Sequence, residues 1–153
     1  HESVAELGNM TFFIENVPMI VAKIIQHHSL YRGQEASTRY IDFSNNVFYS
    51  EFPEQKEIQE KMRIFYIENL SKVHEKMYEV HDLTKGDPTH DRAAKAAAFD
   101  VLRGFLPIGA TTSLAWTTNI REFNQHLARM KAFNSTENWN YIPGLKEVIE
   151  KLE

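Results

Sequence analysis

From Pro53 to about Gly86 the chain carries apolar residues at helical spacing. Ile58, Met62, Phe65, Val73, Met77 and Val80 recur at threes and fours, and Leu70 fills the gap. Only an α-helix, at 3.6 residues per turn, brings such positions to one face. The opposite face is Glu, Lys and Gln. Pro53 suits a first helical turn, and Lys85-Gly86 suits a helix end. A single stripe on so long a helix is a packing face or an oligomer seam rather than a catalytic surface. The rest of the chain has to be arranged beside it.

Upstream, His1 to Leu7 reads as a short turn, and Met10 to Ile14 (MTFFI) as a buried strand. Asn16 then caps a helix with Pro18 near its first position, running to about His28. Its buried side is Met19, Ile20, Ala22, Ile24 and Ile25. Tyr40 to Phe43 and Val47 to Phe52 read as short strands around the turn Ser44-Asn45-Asn46. After the long helix come a second helix from His90 to Phe105, a strand from Thr111 to Thr118, and a helix capped by Asn119. A short segment begins at Ser135-Thr136-Glu137, and Pro143 to Leu152 forms a small amphipathic helix. Strands and long helices without βαβ regularity give an α+β fold, a small mixed or antiparallel sheet beside long helices.

Composition excludes several function classes. The 153 residues make one domain's length, and 42% apolar with 25% charged is ordinary globular chemistry. A net charge of −4 speaks against a nucleic-acid partner. There is no Cys, hence no disulfide, thiolate nucleophile or Cys-ligated zinc. No apolar run approaches the roughly 20 residues that span a bilayer, and nothing resembles a signal peptide. The default expectation is a cytoplasmic protein with no membrane partner. The seven His do not build a metal site by spacing: His27 and His28 diverge as neighbours, and His74 and His81 fall on the long helix.

The densest chemistry lies at His27 to Tyr40, HHSLYRGQEASTRY. Two imidazoles, two guanidiniums, a carboxylate, three Ser or Thr hydroxyls and two Tyr fall between two apolar runs, which suits a ligand loop. Arg32 and Arg39 have the forked donors that grip phosphate or carboxylate. A surface turn with ordinary charges is the alternative.

QEASTRY after a His-centred helix end resembles the signature of the flavin-dependent thymidylate synthases. That motif is Arg-His-Arg, five residues, then Glu-x-Ser-x-Arg-Tyr. Here it falls on His27, His28 and Ser29, then Glu35, Ser37, Arg39 and Tyr40. Two more blocks follow the family's order: HESVAE at the start, and Arg103, Leu106-Pro107, Thr112, Trp116-Thr117, Asn119 and Arg121 in the second half. The resemblance covers nearly the whole chain. It implies a single domain over 1–153, preceded in a longer polypeptide by a small strand-and-helix unit.

The resemblance also implies the activity: methylation of dUMP to dTMP with methylenetetrahydrofolate, reduced FAD supplying the hydride and NADPH reducing the FAD. That route needs no enzyme nucleophile, so it tolerates the lack of Cys. Carried over by position, His1, Ser3 and Glu6 lie beside the flavin nucleotide, His28 touches the FAD, and Asn119 and Arg121 face it. Glu35, Ser37 and Arg39 hold dUMP, with Ser37 near the reacting pyrimidine and Ser37 and Arg39 as the catalytic pair. Arg103 assists the nucleotide, and Arg129 stands next to the position of a late Arg, itself near Met130. Simpler readings stand beside these: Ser3 and Glu6 as a capping box, Asn119 as a helix cap, Arg103 and Arg121 as surface charges.

The pattern is broken at the two arginines flanking the central His, here His27 and Ser29, and at a helix Gln, here Ile24. The segment at Ser135 to Asn138 also departs from it. Neutral His or Ser cannot replace a fixed charge on a phosphate, so Arg32, His27 and Arg129 are candidates to take over. Three readings follow: an active enzyme with a remodelled site, a degenerate domain that completes the site of a related partner or homo-oligomer, and a module that binds FAD or a nucleotide without chemistry.

Overall fold

The computed structural model describes residues 3–134 and 142–153, and these divide into two compact units. The first comprises His1–Ala36 with Thr111–Glu153, and the second Ser37–Ala110. Among the described residues the architecture is α+β, with five α-helices and one three-stranded antiparallel sheet.

In the first unit the sheet order is β1 (Asn9–Pro18), β3 (Thr111–Asn119), β2 (Arg32–Glu35). β3 is central, and the two-residue period of a strand puts Leu114 and Trp116 on one face and into the core. Their neighbours there are Val17, Val21, Ile25, Phe123 and Leu145. β1 runs four residues beyond the expected MTFFI strand. The register shifts between Ile14 and Val17, where Asn16 takes φ 55°. Asn16 is therefore a bulge residue rather than a helix cap, a conformation its short polar side chain tolerates. Pro18, extended at ψ 141°, stands just before α1 (Met19–Gln26), which ends two residues before His28 and buries Val21, Ala22 and Ile25.

β2 lies inside the polar loop itself. Gly33 is required there, because a Cβ would collide with the Ala115 carbonyl and the Tyr31 ring. The Tyr31 hydroxyl donates to that carbonyl at 3.2 Å. α4 (Ile120–Phe133) follows β3, with Asn119 accepting from the Glu122 N–H at 2.8 Å as the expected cap. α5 (Leu145–Leu152) completes the unit. The segment expected to start at Ser135 lies outside the described residues.

The second unit contains the long helix α2 (Pro53–Val80) and α3 (Pro88–Leu102). α2 stops five residues before Lys85, as the chain reverses through positive φ at Asp82 and Gly86. Asp87 caps α3, accepting from the N–H groups of Thr89 and His90. The buried stripe of α2 follows expectation at Val73 and Met77. In the first half it is turned by one residue, onto Gln59 and Tyr66. Ile58 and Phe65 are left 59% and 44% exposed.

Neither expected strand at 40–52 forms. Asp42 accepts from both the backbone N–H (2.9 Å) and the hydroxyl (2.6 Å) of Ser44, folding Phe43–Asn45 into a 3-10 turn. Of Val47–Phe52, only Phe48 makes a β-bridge, to Ala110. No described helix is long and apolar enough to cross a membrane.

Candidate functional site

Two groups of polar side chains stand out in the first unit. At one end of the sheet, Glu6 in the 3-10 turn Val4–Glu6 forms an ion pair with Arg121 in the first turn of α4. Ser3 precedes that turn and makes no capping bond to it, so the capping-box reading fails. Arg121 is not a free surface charge either: its Nε is buried with no hydrogen-bond partner. Orphaned donors of this kind cost about 1–3 kcal/mol unless something accepts from them. His1 lies outside the described residues.

The second group surrounds an open cleft of about 800 Å³ between the C-terminal ends of α1 and α4. Lys23, His27, Ser29 and Arg129 contribute polar groups, and Ile24, Met130 and Phe133 are apolar. His28 is buried at its edge. Its Nδ1 accepts from the Leu30 N–H at 3.2 Å, so in the neutral ring the hydrogen sits on Nε2, 3.7 Å from a Glu122 carboxylate oxygen. Arg129 has no ion pair among the described residues.

His126, on the core face of α4 between Phe123 and Met130, is 4% exposed. Its ring stands edge-on to His28 at 4.7 Å and to Trp116 at 5.2 Å, and neither ring nitrogen has a normal hydrogen-bond partner. Burial, with His28 second, pushes its pKa down to about 4, the Ile25 backbone acting weakly the other way. His126 was not among the expected site residues. The signal was present as a His at helical spacing from Phe123 and Met130.

Glu35 ends β2 with one carboxylate oxygen held by Lys23 at 2.5 Å and Gln26 at 2.8 Å. Burial and then the Glu35 charge raise the pKa of Tyr31. Arg32 sits on β2 opposite Thr117 and is not among the residues lining the cleft.

Ser37, Arg39 and Arg103 belong to the second unit, where they share one network. Ser37 opens a turn closed by the Tyr40 N–H, 3.0 Å from the Ser37 carbonyl. The Arg39 Nε lies 3.0 Å from one Asp100 oxygen, and an Arg103 nitrogen 3.0 Å from the other. Arg103 also donates to the Thr38 hydroxyl at 3.1 Å. Two guanidiniums on one carboxylate leave a net positive charge and spare N–H donors, the composition of an anion site. Among the described residues no group of His, Asp and Glu is arranged to hold a metal ion.

The family model described as thymidylate synthase complementing protein matches residues 1–141. The chain belongs to that family. The resemblance to flavin-dependent thymidylate synthases carried by HESVAE, QEASTRY and the Arg103–Arg121 block is thereby borne out. Among solved structures, thymidylate synthase X from Helicobacter pylori with FAD and dUMP is similar at 14% identity. The likeness covers 99% of this chain and 69% of that one, with a TM-score of 0.60. A second structure of that enzyme with the same ligands gives 0.59. A UMP/dUMP methylase, PolB of Streptomyces cacaoi, bound with 5-Br UMP, is 16% identical over 84% of this chain and 58% of its own, with a TM-score of 0.54. These likenesses establish the shared thymidylate synthase fold. No curated protein sequence matches the chain.

Proposed function

We propose that the chain is a flavin-dependent thymidylate synthase-like domain. It binds FAD and a pyrimidine nucleotide, and methylates dUMP to dTMP with methylenetetrahydrofolate and NADPH. Family membership supports this, as does the fold shared with an enzyme solved with FAD and dUMP. The observation that carries it is the network of Arg39 and Arg103 on Asp100 beside Ser37 and Thr38. Two of the expected nucleotide-holding arginines, distant in sequence, are brought together with donors to spare.

The residues present suit a large anionic cofactor with a planar ring. Arg121 has an unpartnered buried Nε, Arg129 is unpaired among the described residues, and the cleft combines apolar side chains with imidazoles. When bound, FAD supplies the hydride that completes a methyl group. Arg121, Arg129 and Lys23 would hold phosphates, and Ser3, Glu6 and Asn119 would support Arg121 and the start of α4. His28 would present its Nε2 hydrogen. Arg39 and Arg103 would clamp the nucleotide phosphate, Ser37 would lie near the pyrimidine, and Glu35 would accept a ligand N–H with its second oxygen.

A second reading is a degenerate domain that completes the site of a related partner or of another copy. One observation favours it: Ile24 and Met130, where the resemblance expects polar contacts to the nucleotide, both line the cleft as apolar side chains.

Calorimetric titration with dUMP in the presence of FAD separates the readings. Saturable binding that Arg39→Ala weakens by about tenfold or more, with an unchanged circular dichroism spectrum, supports the site. Affinity unaffected by Arg39→Ala sinks the assignment of that arginine.

A further inference from the structure

His28 is held by groups that suit opposite protonation states. Its Nδ1 accepts from the Leu30 N–H at 3.2 Å, and the Tyr31 N–H closes the same turn onto the His28 carbonyl at 2.9 Å. That turn delivers the chain into β2, which begins at Arg32. At the other nitrogen, Nε2 faces the Glu122 carboxylate of α4 at 3.7 Å, just beyond hydrogen-bond reach. The two side chains are 5% and 21% exposed, so salt screens a charge there only weakly. The other titratable group against the ring is His126, edge-on at 4.7 Å. Its pKa of about 4 leaves it neutral where imidazoles ordinarily titrate. Lys23, His27 and Arg129 line the cleft at whose edge His28 sits, and that cleft brings solvent to the ring.

A neutral ring satisfies Leu30, and a cationic ring cannot. A proton taken from solvent puts a hydrogen on Nδ1, so that two donors face each other and the Leu30 N–H loses its acceptor. The same proton gives the ring a charge that the Glu122 carboxylate attracts. We propose that His28 is a protonation switch for the turn from His28 to Tyr31: the neutral ring fastens the turn, and the cationic ring releases Leu30 and moves onto Glu122. No bond between heavy atoms forms or breaks, and the element with two arrangements is the turn itself. Acid thereby loosens the entry to β2, the strand that ends in Glu35. The switch operates whichever ligand the domain takes.

Solution NMR of the whole chain, titrated from about pH 8 to about pH 5, provides the test. Ring-nitrogen shifts report the protonation of His28. Hydrogen-exchange protection of the Leu30 amide, taken against its intrinsic rate at each pH, reports the turn. That protection is expected to fall about tenfold as His28 gains its proton. His28→Asn keeps an acceptor two residues before Leu30, in the manner of an Asx turn, without a titrating nitrogen. It should hold the protection constant over the same range. Glu122→Gln removes the carboxylate that favours the cation and should move the transition to lower pH. Leu30 protection that ignores the protonation of His28 overturns the proposal, as does a fall that survives in His28→Asn. A ring that stays neutral until the chain unfolds overturns it too. Where His28→Asn does not fold, an unshifted transition in Glu122→Gln does so.

Discussion

The two units of the molecule bury their apolar residues in different ways. In the first, Phe12, Trp116, Phe123 and His126 form a connected ring cluster, with Phe12 and Phe123 stacked at 5.0 Å and Trp116 2% exposed. In the second, the α2–α3 hairpin closes over Met77, Ala94 and Ala98, while Ile58, Ile64, Phe65, Ile67, Val80 and Phe105 stay substantially exposed. A packed aromatic core stabilises its own unit. A long helix with uncovered Ile and Phe side chains has the composition of a surface that another chain covers. The contrast places the cleft and the imidazole pair on the unit with the aromatic core, and the arginine network on the unit with the exposed helix face.

The largest expected effect tests that contrast directly. Trp116→Ala should cost about 3–5 kcal/mol of unfolding free energy, enough to unfold a marginal domain. Phe65→Ala should cost less than about 1 kcal/mol in the isolated chain. Denaturant unfolding of both variants measures this, and similar costs would erase the distinction.

His126 provides the next. Its folded-state pKa of about 4 lies below the ordinary 6.5, so the unfolded chain binds more protons between those values. The stability it contributes is complete above about pH 6.5 and is lost as pH falls toward 4, by about 3 kcal/mol. His126→Phe should flatten the pH dependence of unfolding over that window without loss at pH 7. An unchanged slope would mean that the imidazole is not held neutral.

In the second unit, Arg39→Ala should weaken nucleotide binding by about tenfold or more, since a charge-assisted bond is lost. Asp100→Asn, which frees both arginines from their anchor, should weaken it by about threefold. The reverse order would make Asp100 the principal contact. The smallest effect concerns the seam. Phe65→Glu should lower the solution mass if α2 packs against another copy, and a monomeric wild type would remove that interface.

Much of this contrast was legible in the residues. Thr111 to Thr118 is rich in Thr, so its strand follows from β propensity, and Asn119 is placed to cap what comes next. The long helix was equally plain. Its buried face was not, because Gln59 and Tyr66 are held inward by hydrogen bonds, Gln59 to the Tyr49 carbonyl at 2.8 Å and the Tyr66 hydroxyl from the Phe43 N–H at 3.4 Å. Apolar periodicity does not register such bonds. β2 escaped for a related reason. Arg32-Gly33-Gln34-Glu35 has no strand pattern, and becomes a strand only because β3 offers an edge and Gly33 admits the Tyr31 ring. Conversely, Tyr40 to Phe43 has strand propensity, but the Asp42 side chain diverts it into a turn. For the site, the signature marked Glu35, Ser37 and Arg39. The role of Asp100 between Arg39 and Arg103 required the fold, as did the meeting of His126 with His28 from opposite ends of the chain.

The visible absorption spectrum of the purified protein with added FAD tests the central claim most directly. The account predicts a protein-bound flavin band that bleaches with NADPH and returns on adding dUMP and methylenetetrahydrofolate. Failure to retain flavin from excess FAD at micromolar protein would contradict it.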